Sequence, residues 1–304
     1  MTASPRIFDR VLHRRRLDRA APGFGAADFL KRRVADDLVE RLDGINRRFG
    51  VALDLGARDG TFGRALLDSP AAAKLDFLIQ SDLSARMLGN TEGARAVVDE
   101  EHLPFAPESL NLIVSSLALH WVNDLVGALI QIRLALVPDG LFIGAMLGGA
   151  TLTELRRSLL AAETEISGGA GPRVSPFADA PDGGALLQRA GFALPVVDTD
   201  TVVVRYDHPL KLLADVRAMG ETSVLFDRPR SPLSRAILNR ACEIYRRDHG
   251  GADGRVPATF EILTLTGWAP HESQQKPMRP GSAKTRLADA LGVVERSAGD
   301  RAGR

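Results

Sequence analysis

The sequence predicts an α/β protein whose parallel sheet is covered by helices on both faces. Two observations carry that reading. From about residue 50, short apolar runs alternate with segments of helical spacing, an order that lays successive strands side by side with crossover helices between them. The first run, Val51-Ala52-Leu53-Asp54-Leu55-Gly56-Ala57-Arg58-Asp59-Gly60, passes from a buried strand into a glycine loop of the kind that lets backbone approach a ligand. At 304 residues and 45% hydrophobic content the chain can bury a sizeable core, as one domain with an insertion or as two small domains.

Residues 1–48 read as a basic helical segment, crowded with Arg6, Arg10, His13, Arg14, Arg15, Arg16 and Arg19. Asp9 and Asp18 lie among them and no cleavage-like segment follows, which argues against a transit peptide. Charge runs are usually solvated faces, so a solvated basic helix is expected.

The core, over 49–206, starts with the strand VALDLG, a helix from Thr61 to Leu67, the strand LDFLIQSD, a helix near Ala85 to Leu88 and the strand ARAVVDEE. It continues with LNLIVSSLAL, a helix from Leu125 to Leu136, the turn Pro138-Asp139-Gly140 and the strand GLFIGAML. Beyond Gly149, TLTELRRSLLAAETEI has helical spacing, GGALLQRAGF reads as a short helix ending at Gly191, and LPVVDTDTVVVRY is β-rich. Residues 207–250 offer two amphipathic helices, one carrying Leu212, Leu213, Val216 and Met219, the other Leu233, Ile237, Ala241, Ile244 and Tyr245. They stand between the last two strands and are expected to cover the open end of the sheet. The final strand, ATFEILTLTGW, falls in 251–280, and the polar, basic stretch 281–304 is expected to be a mobile tail.

Composition removes several classes of function. The 39 basic and 38 acidic residues nearly cancel to +1, which gives no reason to expect a nucleic acid partner. No apolar run approaches the roughly 20 residues needed to span a bilayer and nothing resembles a secretory segment, so a cytoplasmic protein is expected, with peripheral association at an inner membrane left open. The one cysteine, Cys242, excludes an internal disulfide and a cysteine-cluster metal site, and its place in a helical stripe makes it a core residue. No paired histidines or facial-triad pattern suggests a metal.

The chemistry gathers at the carboxyl ends of the strands, where a doubly wound sheet binds its ligands. Asp54 ends the first strand and can orient the glycine loop or accept from an ammonium group. Asp82 ends the second, where a carboxylate can accept both hydroxyls of a ribose, and Asp99 ends the third, where it can accept from an adenine amino group. Acidic residues also cap helices after strands, so each alone is weak, whereas three on successive strand ends are hard to obtain by chance.

With these residues in view, LDLGARDG, SDLS, DEEHLPF, LNLIVSSLALHWVNDL and PDGLFIGAML resemble the successive motifs of class I S-adenosylmethionine-dependent methyltransferases over roughly residues 50–148. A fuller resemblance, through IFDR, SSLALHWVNDL, PDGLFIGAMLGGATLTELR, SPFAD, GRVPATFEILTLTGW and HESQQKP, is to the methyltransferase-fold assembly factors of respiratory complex I, protein arginine hydroxylases, and their alphaproteobacterial relatives. The malonyl-carrier-protein methyltransferases of the biotin pathway are similar at greater distance.

That resemblance implies a Rossmann-like sheet of seven strands, mostly parallel with the last antiparallel, and S-adenosyl-L-methionine as cofactor. It assigns the cofactor to Asp54, Gly56, Gly60, Asp82, Asp99 and Glu100. Arg58 departs from the pattern, standing where the family has the middle glycine of its loop; a left-handed backbone there costs about 1–2 kcal/mol. The arginine either crowds the ligand, points outward, or turns to the ligand's carboxylate. His120 and Trp121, after the fourth strand, are the candidates to meet substrate, with His120 as a base for the proton that a hydroxyl or amine releases on methyl transfer.

The function expected is therefore a methyltransferase-fold enzyme acting on a protein or carrier-bound substrate. The alternatives are an arginine hydroxylase acting on a complex I subunit, and an assembly chaperone that does no chemistry.

Overall fold

In the computed structural model, which describes residues 6–275 and 285–294, two helices precede the sheet: α1 (Arg10–Ala20) and α2 (Phe29–Asp43). The sheet alternates with helices as β1 (Phe49–Leu55), α3 (Thr61–Leu67), β2 (Leu75–Asp82), α4 (Ala85–Leu88), β3 (Ala94–Val97), β4 (Leu110–Ser116), α5 (Leu125–Ala135) and β5 (Leu136–Leu147). Then come α6 (Thr153–Ser167), α7 (Ala180–Arg189), β6 (Ala193–Tyr206), α8 (Pro209–Ala218), α9 (Arg235–His249) and β7 (Val256–Trp268). All of these belong to a unit spanning residues 1–270. In the second unit, residues 271–304, the described residues include one short helix, α10 (Leu287–Leu291). The expected mobile tail falls largely outside the described residues.

The strands lie in the order β3-β2-β1-β4-β5-β7-β6, the first five parallel and β7 antiparallel to both of its neighbours. This is the seven-stranded α/β sheet that the motifs imply. Order reverses between β1 and β4, so the loops after these two strands open a crevice at their carboxyl ends.

Residue alternation along the strands decides what each face meets. In β4, Leu112 and Val114 pack with α2, α6 and α9, while Ile113 packs with α5 and α7. In β1, Ala52 points to the first face and Leu53 and Leu55 to the second, so Asp54 faces α2. Helix α2 meets it with the stripe Leu30, Val34, Ala35, Leu38 and Leu42, and Lys31 stands inside that buried stripe at 4% exposure. Cys242 is buried as a small core residue of α9.

The solvated basic helix expected at the N-terminus is corrected here. Helix α1 buries His13, Leu17 and Ala20 and turns Arg10 inward, because the face opposite its exposed arginines carries apolar residues and lies against α4 and the crevice. Among the described residues no helix is long and apolar enough to cross a membrane.

Candidate cofactor and active site

The glycine loop after β1 is tied down through its backbone: the Gly56 and Ala57 N–H groups donate to the Ser81 carbonyl at 2.8 and 2.7 Å. Gly56 has φ +82°, and a Cβ there would lie 2.3 Å from that of Ala118; Gly60 has φ +81° and a Cβ would meet the Gln80 side chain at 2.6 Å. Both positions therefore demand glycine, and Gly60 opens α3 as its N-cap.

Arg58, between them, takes the left-handed backbone at φ +55° without glycine's freedom. Its side chain does not point outward, as one of the sequence readings allowed. It is 1% exposed and lies across the crevice, where Nη1 donates to Asp82 Oδ2 at 2.9 Å and Nη2 donates to the Leu117 carbonyl at 3.3 Å. The Arg58 backbone N–H reaches the same Asp82 oxygen at 3.0 Å, and Glu221 Oε1 lies 3.7 Å from Nη2. Leu117, its acceptor, is itself left-handed at φ +50°, so two strained residues face one another here. Burial disfavours the Arg58 charge, but Asp82, Glu221 and Glu100 outweigh it and raise its pKa.

Arg10 does for the third strand end what Arg58 does for the second. Its guanidinium donates to Asp99 Oδ1 at 2.7 Å, to Glu100 Oε2 and to the Trp121 carbonyl at 3.2 Å. Asp99, Glu101 and His102 bring potential ligand atoms within 4.8 Å of one another, but the same guanidinium sits among them, with Nε 4.0 Å from Glu101, and a cation already holds the place.

The residues after β4 complete the network. Glu221, in the loop after α8, accepts from Trp121 Nε1 at 2.6 Å and pairs with His120 Nε2 at 3.0 Å, both at Oε2. Burial raises the Glu221 pKa, and His120, Arg58 and Trp121 together outweigh it and hold the carboxyl below its ordinary range. His120 Nδ1 is buried without a partner. Thus Asp82, Asp99, Glu100, His120 and Trp121 are linked in one chain of contacts through Arg10, Arg58 and Glu221.

Asp54 is brought to the same crevice but left unpaired: it is fully buried and neither carboxylate oxygen has a hydrogen bond. Burial pushes its pKa up to about 7 against the pull of Lys31. Lys31 is pushed down to about 8 by burial, with Asp54 acting in the opposite sense. Its ammonium donates to the Gly56 carbonyl at 2.7 Å and to the Ser116 carbonyl.

Beside this network, a cavity of about 340 Å³ opens between α6, α8 and the loops at 172–177 and 221–230. Leu155, Leu159, Val174 and Phe177 wall it, and Trp121 and Glu221 reach it from the crevice. Arg16, Arg173, Arg228 and Arg230 also line it. Arg173 is neutralised by Glu163 at 2.5 Å, whereas burial and the neighbouring cations Arg228 and Arg19 press the Arg16 pKa down to about 10.

Arg10, Lys31 and Glu221 are absent from the sequence-derived site. Lys31 had a signal, a lysine at a core position of an amphipathic helix. Arg10 was hidden in a run of seven basic residues, and Glu221 lies about a hundred residues from the partners it serves.

Residues 53–144 match the model of a methyltransferase domain. The mitochondrial arginine-hydroxylase NDUFAF5 of Homo sapiens is 42% identical over 303 residues, 96% of this chain and 86% of that protein, and that of Danio rerio is 40% identical over 93% and 89%. The chain belongs to the NDUFAF5 family. A malonyl-[acyl-carrier protein] O-methyltransferase of Methylovorus is 33% identical over 97% of both chains. A solved methyltransferase-type structure from Bacillus halodurans, 14% identical, superposes with a TM-score of 0.53 over 78% of this chain and 99% of its own, a likeness of fold.

The methyltransferase domain makes S-adenosylmethionine the cofactor of this enzyme. The donor set fits it: left-handed glycines for close approach, Asp82 and Asp99 for polar edges of a nucleoside, and the orphaned oxygens of Asp54 and Glu100. The space does not yet fit, because Arg58 and Arg10 fill it and the cavity left between Lys31 and Arg58 measures about 30 Å³.

Proposed function

We propose that the enzyme modifies an arginine side chain of a protein during assembly of respiratory complex I. The observation that carries this is Glu221 Oε1. Its sister oxygen is spent on His120 and Trp121, but Oε1 has only Arg58, at the long distance of 3.7 Å. It stands where an apolar-walled cavity meets the cofactor crevice, and an arginine is an aliphatic stem ending in a guanidinium that favours a carboxylate. Relatives at 40–42% identity over nearly the whole chain are named arginine hydroxylases, which supports the same reading.

Within this proposal Asp82 holds the ribose hydroxyls, Asp99 and Glu100 the purine edge, and Asp54 the ammonium of the amino-acid tail. Bound S-adenosylmethionine supplies a methyl group on sulfonium sulfur. His120, held by Glu221 through Nε2, keeps Nδ1 available to accept a proton from substrate. Arg16, Arg228 and Arg230 at the cavity wall favour acidic residues beside the target arginine. Such a substrate places the enzyme beside the respiratory membrane as a peripheral partner.

A second reading has one observation in its favour: the same cations suit a carboxylated acyl group delivered by an acidic carrier, as in the malonyl-carrier methyltransferases. One experiment separates the readings. The enzyme and S-adenosylmethionine are incubated with candidate complex I subunits or malonyl carrier protein, and each product is weighed by mass spectrometry. Added mass on a single arginine supports the proposal, and its size distinguishes an inserted oxygen, which needs an oxidant as co-reactant, from a methyl group. Methylation of the carrier alone, or no change in any protein, overturns it, and the latter leaves the chaperone reading.

A further inference from the structure

We infer that Lys31 is a specificity-determining residue of the cofactor site, holding the carboxylate of the ligand's amino-acid tail and selecting adenosyl compounds that carry one. The inference rests on S-adenosylmethionine being the cofactor.

Lys31 is a charge placed in a core. It occupies a core position of α2, on the same buried stripe as Leu30, Val34 and Ala35. An ammonium at 4% exposure costs several kcal/mol unless paired and hydrogen-bonded. A residue needed only for packing would be a leucine or methionine.

Its partners account for part of its capacity. Two N–H groups go to the Gly56 and Ser116 carbonyls, one at the end of β1 and one at the end of β4, on the two sides of the switch point. An ammonium has three, and the third finds no partner in Asp54, whose oxygens have no hydrogen bond although it is the carboxylate that most favours the Lys31 charge.

The space beside it agrees. The cavity of about 30 Å³ is bounded by Lys31, Arg58, Glu221 and the apolar side chains of Leu117 and Met219. A water needs about 10–15 Å³ of such volume, so this one suits a group of two or three atoms. Departure of the Arg58 side chain from Asp82 would enlarge it along the crevice. Lys31 then offers a cation and Asp54 an unpartnered carboxylate at the glycine loop, complementary to the carboxylate and ammonium of an α-amino acid. Neutral charge pairs of this kind fix orientation, because each group repels the wrong end.

The test uses two ligands that differ in that tail. S-adenosylhomocysteine carries the amino acid; 5′-methylthioadenosine keeps the nucleoside and sulfur and lacks it. The full-length wild type, Lys31→Met and Lys31→Gln are titrated calorimetrically with both. Loss of one charge-assisted hydrogen bond is expected to weaken S-adenosylhomocysteine roughly ten- to hundredfold in both variants while 5′-methylthioadenosine changes less than twofold. Equal losses on both ligands would make Lys31 a scaffold residue and overturn the inference, as would no loss on either. Wild-type protein that binds neither ligand would overturn the cofactor reading beneath it, an outcome distinct from both. Should the variants unfold, nitrogen NMR of Lys31 in the wild type decides: its titration should move to higher pH with S-adenosylhomocysteine and stay in place with 5′-methylthioadenosine, and a shift with neither or with both refutes the inference.

Discussion

The half of the site beneath β2 and β3 and the half beside α6 and α8 are built on opposite electrostatic plans. In the first, Arg58 holds Asp82, and Arg10 holds Asp99 and Glu100, so the carboxylates proposed to meet the nucleoside are already neutralised and the space is filled. In the second, a cavity of about 340 Å³ stands open, with Arg16 at its wall pressed by burial and by Arg228 and Arg19. A buried ion pair contributes little net stability, yet breaking it is costly. The first half is thus an internal competitor: apparent affinity there is the intrinsic affinity reduced by the fraction of molecules in which the arginines have left. The second half is preformed and pays mainly salt screening, so the two respond to mutation in opposite directions.

Arg58→Gly should break the comparison most visibly. Without the guanidinium, Asp82 keeps its bonds to backbone N–H groups but loses its buried cation, and relief of the left-handed strain returns only about 1 kcal/mol. The ligand-free protein is expected to lose about 2 kcal/mol, or roughly 4–8 °C in melting temperature. At the same time S-adenosylhomocysteine should bind about tenfold more tightly, because the competitor is gone. Calorimetry and thermal melts on the same preparation check both; tighter binding without destabilisation, or the reverse, would show that Arg58 does not hold the crevice closed.

Asp54 sharpens the comparison, being the carboxylate of the closed half that no arginine serves. Its pKa is raised by burial from the ordinary 3.8 to about 7, so the native chain keeps a proton that the unfolded chain releases. That contribution is full below about pH 4 and is lost as pH rises through about 7. Lys31, whose pKa falls to about 8, is charged in both states over most of this window. Across pH 4.5 to 7 the melting temperature of wild type should therefore fall relative to that of Asp54→Asn. Parallel melting curves for the two proteins would disprove the raised pKa.

Arg10→Ala opens the purine end of the closed half from the other side. Of the two carboxylates it leaves, Asp99 is 32% exposed but Glu100 only 1%, so part of the gain is offset by the cost of a buried, unpaired Glu100. Adenosine is expected to bind about fivefold more tightly, roughly 1 kcal/mol, measured by titration. Weaker binding would mean that Arg10 clamps the nucleoside instead of displacing it.

These two arginines mark where the sequence was legible and where it was not. The strands and the helices over Thr61–Leu67 and Ala85–Leu88 were readable because periodicity and glycine punctuation are local signals. Asp82, Asp99 and Glu100 were readable because strand ends are fixed by the same pattern. What occupies those carboxylates was not, since Arg10 looks like any member of a basic run until α1 folds back over the crevice. Glu221 lay in the expected cover over 207–250, but its pairing with His120 joins residues 101 positions apart, which no spacing rule reports. Arg58 was visible as an oddity, and only its direction was undecided: inward, onto Asp82.

The smallest expected effect belongs to the open half. Arg16 is half-buried, donates to the Ser223 carbonyl and has its charge disfavoured by burial and by the cations Arg228 and Arg19. An incoming carboxylate relieves that repulsion. Arg16→Gln keeps a donor for Ser223 and removes the charge, so folding should be nearly unchanged. Binding of a fluorescent peptide with one arginine flanked by two aspartates should weaken about threefold at low salt, close to 0.7 kcal/mol, and the difference should fade as ionic strength passes about 0.15 M. The same peptide with lysines in place of the aspartates should bind poorly to both proteins. A lysine-flanked peptide that binds as well as the acidic one would show that the surplus charge has no part in recognition, and the contrast between the two halves would then be one of space alone.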